Sequence, residues 1–181
     1  WLMDKRALAF EPDVIWFVSY NDESLDLRTH LAKMVRLKSE IPYEYLRDII
    51  RRANVTPDLT EAEATTRLQP YHAEMMEWTY RQVLERCRAR GIHPVWIYLP
   101  ATRIPRAEEP RARAVALAQR AGFASVVDTL ATVYDNHRLE DIVVAAYDFH
   151  PNAKMHGIIA DWLYEQLRTH PELVTGPGPG R

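Results

Sequence analysis

A chain of 181 residues that is 47% hydrophobic and 27% charged has enough apolar material for one packed core and too much for a disordered segment. Its formal net charge is −2, and no Lys/Arg cluster is interleaved with aromatics, so nothing in the composition attracts nucleic acid or an anionic membrane surface. Cys87 is the single cysteine, which excludes an intrachain disulfide and a cysteine-based zinc cluster, and no run approaches the ~20 apolar residues of a membrane span.

In chain order, the opening Trp1-Leu2-Met3-Asp4-Lys5-Arg6 reads as the tail of a helix. Residues 14–20 follow as a short, continuous apolar and aromatic run, the pattern of a strand buried on both faces. Asn21-Asp22 makes a turn, with Asp22 placed to cap a helix over 25–36. Further helices are predicted over 42–53 and 61–90, the latter broken near Pro70, with a turn-rich interval at 54–60. Gly91 stops that helix and His93-Pro94 opens a second buried strand over 95–99. A helix over 111–121 ends at Gly122, and a weaker strand runs over 125–130. Residues 143–147 read as a short extended arm or a packed loop, residues 153–169 as a helix, and the Gly-Pro repeats near the end as a flexible tail over 174–181. Strands alternating with helices predict a parallel α/β sheet.

The segment 33–79 is long for a crossover. Its Met34, Leu37, Ile41, Tyr43, Tyr45, Leu46, Ile49 and Ile50 fall at helical spacing and read as core; a helical cap over a cleft is the alternative.

Chemistry concentrates in Tyr147-Asp148-Phe149-His150-Pro151-Asn152. The residue before a proline is driven out of the helical region, and alternate extended residues point the same way, so Asp148 and His150 can face one cleft. A carboxylate holding an imidazole is the orienter and base of a nucleophilic triad. The bland alternative makes Asp148 the cap of the following helix and His150 a surface residue. Asn21 follows the first buried strand, at the carboxyl end where open parallel sheets bind ligands; its amide suits an oxyanion, and a plain Asn-Asp turn is the competing reading. His156, inside a helix, reads as a packing residue or a hydrogen-bonding support for the site rather than a catalytic one. His30, His72, His93, His137 and His170 show no carboxylate partner at informative spacing and read as surface or turn residues.

The block His150-Pro151-Asn152-Ala153, His156 and Ile159-Ala160 resembles the last sequence block of SGNH (GDSL-like) hydrolases, with Met155 where glycine is usual. Residues 12–22 resemble that family's strand ending in Gly-x-Asn-Asp, with Ser19 in the glycine position, and His93-Pro94-Val95-Trp96-Ile97-Tyr98-Leu99-Pro100 resembles the strand ahead of its final helices. The likeness spans 10–167. It implies a flavodoxin-like three-layer α/β/α domain over 1–173 with a helical insertion at 33–79. It also implies an esterase in which His150 is the base, Asp148 its orienter and Asn21 an oxyanion donor. The Gly-Asp-Ser block is absent, and Ser24, Ser39 and Ser125 lack the context of a nucleophile turn, so the resemblance puts the serine and its strand upstream of Trp1. The implied substrate is a small-molecule, lipid or carbohydrate ester, with no metal, no cofactor and no nucleic-acid partner. Acyl transfer to a carbohydrate hydroxyl and a non-catalytic α/β binding module are the alternatives; a metallohydrolase using Asp148, His150 and His156 lacks further ligands at suitable spacing. Oligomeric state and compartment have no signal in the sequence.

Overall fold

The structure, a computed structural model, describes residues 3–20, 23–102, 108–134 and 137–175. The chain divides into two compact units, Asp22–Arg81 and Trp1–Asn21 with Gln82–Arg181. Among the described residues the protein is a mixed α/β chain with a three-stranded parallel sheet, and no helix is long and apolar enough to cross a membrane.

The first unit is helical. Helix α1 (Glu23–Arg36), α2 (Glu44–Arg52), α3 (Glu61–Leu68) and the first part of α4 (His72–Arg88) enclose Leu31, Leu46, Ile49, Val55, Leu68 and Met75. The residues at helical spacing in 33–79 thus divide: Leu46 and Ile49 are buried core, whereas Leu37 is 62% exposed. Thr60 starts α3 with a capping box, its hydroxyl accepting from the Glu63 amide while the Glu63 carboxylate accepts from the Thr60 amide. Pro70 breaks the helical run as expected, in a 3₁₀ turn over Gln69–Tyr71. Tyr45 stacks on Trp78 at 5.1 Å and donates to Glu74 at 2.9 Å, and Arg52 pairs with the same carboxylate at 2.5 Å.

The second unit carries the sheet. Its amino-terminal residues form an irregular helical pair, Met3–Ala7 and Leu8–Phe10, and Leu8 packs on Cys87 and Ile92. Strand β1 (Val14–Tyr20) pairs in parallel with β2 (His93–Leu99), and β2 with β3 (Ser125–Val127), in the order β1-β2-β3. Gly91, at φ +68°, ends α4 in the left-handed region that favours glycine and returns the chain to β2. Helix α5 (Glu108–Ala121) precedes β3. The strand expected over 125–130 is shorter: it stops at Val127, and Thr129–Tyr134 is a 3₁₀ segment. The reason is pairing, since register with β2 ends at Ile97↔Val127 and nothing beyond it continues the ladder.

The chain then turns through α6 (Leu139–Ile142) into an antiparallel hairpin of β4 (Val143–Ala145) and β5 (Asp148–Pro151), followed by α7 (Ala153–Thr169) and α8 (Glu172–Thr175). The arm expected over 143–147 is therefore β4 plus a two-residue turn, and the Asp-x-His motif is its partner strand. Late residues of α7, Leu163 and Leu167, join Leu173 against Val14, Trp16, Val95, Ile97 and Val127 of the sheet. Early residues, Met155, Ile158 and Ile159, pack on Tyr134, which lies beyond the carboxyl end of β3. Helix α7 thus packs on the sheet through its later residues and on the Thr129–Tyr134 segment and α6 through its earlier ones.

Candidate functional site

Three local features bring Asp148 and His150 together. Pro151 keeps His150 extended, the antiparallel pairing of Ala145 with Asp148 holds the strand, and the two residues of interest alternate onto one face. The His150 Nδ1 lies 2.6 Å from Asp148 Oδ1, and the His150 backbone N–H donates to the same oxygen at 3.1 Å. The backbone donor first, and the imidazole second, hold the Asp148 carboxyl below its ordinary value. An ionised carboxylate only accepts, so Nδ1 donates to it, and in the neutral ring this tautomer leaves the lone pair on Nε2. The His150 side chain is 88% exposed against 38% for Asp148, so Nε2 is open to an incoming group while the carboxylate stays behind it.

Asp148 is not the cap of the following helix. That role falls to Asn152, whose Oδ1 accepts from the Met155 amide at 3.1 Å while its Nδ2 donates to the carbonyls of Asp141 at 3.0 Å and Val143 at 3.1 Å. One side chain therefore ties α7 to α6 and β4 and leaves Asp148 to His150. The signal was legible, an asparagine immediately before an apolar-periodic run, although the carbonyl partners belong to residues 9 and 11 positions earlier.

Asn21, the expected oxyanion donor, and Asp22 lie outside the described residues; β1 ends on the residue before them, Tyr20. His156 stands exposed in α7, so it is not the packing residue expected. Two other histidines differ from expectation. His170 has a carboxylate partner after all, with Nδ1 3.2 Å from Glu172 Oε1, because the turn into α8 folds the i and i+2 side chains onto each other. His93 is no surface turn residue: it opens β2, its Nε2 lies 3.1 Å from the Ser125 hydroxyl, and burial pushes its imidazole below the ordinary value. Ser125 and His170 line a cavity of about 330 Å³ beside β3, with Asp128 and Glu172. It runs along β3 and is closed by the end of α7 and by α8. Among the described residues no three His, Cys, Asp or Glu side chains gather in a way that could hold a metal ion.

No family model, curated protein or solved structure matches the chain.

Proposed function

We propose that this chain is part of an SGNH-like ester hydrolase, with a flavodoxin-like three-layer arrangement, in which His150 is general base and then general acid, Asp148 its orienter and Asn21 an oxyanion donor. The observation that carries the reading is the Asp148–His150 pair: a 2.6 Å contact that orients the ring, with the imidazole largely exposed. The nucleophilic serine comes from outside these 181 residues. Ser125 is engaged by His93, and Ser19 is buried in β1. The strand order fits such an addition: β1 is apolar on both faces yet stands at the edge among the described residues.

In this mechanism Nε2 takes the serine proton as the oxygen attacks the ester carbonyl, and the Asn21 amide donates to the oxyanion. The acyl–oxygen bond then breaks, Nε2 returns the proton to the departing alkoxide, and water repeats the sequence to release the acid. No step calls for a metal or cofactor. Transfer of the acyl group to a carbohydrate hydroxyl would use the same groups with another acceptor.

The test is steady-state ester hydrolysis by the intact protein. His150→Ala should lower kcat by orders of magnitude, Asp148→Asn by up to ~10⁴, and Asn21→Ala by ~10²–10³. The His150→Ala/Asp148→Asn double variant should lose little more than His150→Ala, since the two act as a unit. A folded His150→Ala protein with near-normal kcat would return the pair to a structural role and favour a binding module.

A further inference from the structure

The cavity beside β3 holds a hydroxyl and a base that the chemistry at His150 does not use. Ser125 opens β3 and His93 opens β2, and the register Val95↔Ser125 sets the Ser125 and His93 side chains on one face of the sheet. The His93 Nε2 lies 3.1 Å from the Ser125 hydroxyl, and burial favours the neutral imidazole. Both residues are half-buried, and Ser125 lines the cavity of about 330 Å³. A neutral imidazole within hydrogen-bond reach of a hydroxyl at a cavity wall is the arrangement of a serine and its general base.

The sheet edge supplies a third part. In a parallel ladder a strand reaches a given neighbour through alternate residues. The His93 amide donates to the Asp13 carbonyl, on the β1 side, at 2.8 Å. His93, Val95 and Ile97 therefore turn their backbone groups toward β1, and Trp96 turns its own toward β3. Trp96 is in register with Val126, so its ladder bonds go to the residues on either side of Val126. Among the described residues β3 is an edge strand, which leaves the Val126 N–H facing outward, on a residue that also lines the cavity. The amide of the residue after a nucleophile is a common donor to an oxyanion.

We propose that Ser125 is an acyl-accepting nucleophile, with His93 as its base and the Val126 N–H as its oxyanion donor, and that its substrates are activated esters of short acyl chains. The site shares no residue with the Asp148–His150 pair and does not depend on the hydrolase reading. Size sets the substrate class: a cavity of about 150 Å³ holds one benzene, so this one suits a short acyl group with an aryl leaving group. Nε2 takes the Ser125 proton as Oγ attacks the ester carbonyl. The bond from that carbon to the leaving oxygen then breaks, Nε2 returns the proton to that oxygen, and the acyl group stays on Ser125. Among the described residues no carboxylate orients the His93 ring, so attack by water is poorly supported and the acyl-serine accumulates.

The probe is p-nitrophenyl acetate, applied to the intact protein carrying His150→Ala so that the Asp148–His150 pair consumes no ester. Mass spectrometry of the peptides reads the position and rate of acetylation. Ser125 should take up one acetyl group, well ahead of Ser39, an exposed serine without a histidine partner among the described residues. Adding Ser125→Ala should abolish that product. Adding His93→Gln, which keeps a hydrogen bond to the hydroxyl and loses the base, should slow it ~10²–10⁴-fold, with circular dichroism confirming the fold. p-Nitrophenyl laurate, with the same leaving group, should acylate Ser125 at least about ten-fold more slowly. Equal rates at Ser125 and Ser39, acetylation elsewhere only, or an undiminished rate in folded His93→Gln would overturn the proposal and leave the His93–Ser125 bond a structural tie. Laurate as fast as acetate would overturn the substrate class.

Discussion

Replacing Asn152 by alanine tests how the hairpin is held. The substitution removes an N-cap acceptor, a loss typically of ~1 kcal/mol, and two donors to the carbonyls of Asp141 and Val143. Each such bond is worth about 0.5–1.5 kcal/mol net. The carbonyl sites are exposed or half-buried, so water takes over part of the loss, and we assign about 1 kcal/mol to the pair. The sum, ~2 kcal/mol, corresponds to roughly 4–8 °C in Tm for a chain of this size. Asn152→Ser separates the contributions: its hydroxyl still caps α7 but does not reach both carbonyls, so it should recover about half. Urea unfolding at unchanged m would report the values. Amide exchange should accelerate in the β4–β5 ladder more than in the β1–β2 ladder, because the tie is local. A loss below about 0.5 kcal/mol in Asn152→Ala, or equal losses in the alanine and serine variants, would refute the reasoning.

Asp148, with its carboxyl held low by the His150 amide and imidazole, contributes stability that is present above the unfolded carboxylate value of about 3.9 and lost as pH falls through the lower folded value; the acid limb of Asp148→Asn should be shallower than that of wild type in a pH series of thermal melts. In the helical unit, Tyr45 is pushed up to about 12 by burial first and by Glu74 second, so it stabilises the fold below the unfolded value of about 10 and ceases to do so as pH rises toward 12; Tyr45→Phe should flatten that alkaline loss in circular dichroism. Ile49, with no exposed surface, should cost ~2–5 kcal/mol on truncation to alanine in urea titrations, whereas Leu37→Ala should stay within about 0.5 kcal/mol. Cys87 is fully buried and burial raises its thiol, so a disulfide-exchange reagent should leave it unmodified in the native protein and label it in urea.

Local pattern was enough to read the elements. A continuous apolar run flanked by turn residues specifies a strand, which is why residues 14–20 form β1 over the same span and why 95–99 lie within β2. The expected burial on both faces holds for 95–98, whereas β1 buries only Ser19 and exposes Val18 and Tyr20, because among the described residues it has a partner strand on one side alone. Apolar residues at helical spacing behind an asparagine likewise set α7 at 153–169, and Gly91 and Gly122 stop helices because their positive φ suits a residue without a side chain. The Asp148–His150 pairing was legible for the same reason: spacing of two before a proline is a local constraint. What lay beyond it depended on partners remote in sequence. β3 ends at Val127 because the β2 register ends there, and the hairpin exists because Val143 meets Pro151. Asn152, rather than Asp148, caps α7 because two carbonyls of the preceding segment arrive at its amide. His93 reached Ser125, 32 positions away, because parallel pairing set their strands side by side. Periodicity and turn chemistry are properties of a few adjacent residues, so the sequence determined helices, strands and the acid–base spacing. Which side chains meet across the chain is set by register and packing, and only the tertiary structure decided that the His150 imidazole is open and that Asn152 ties its strand to α6 and β4.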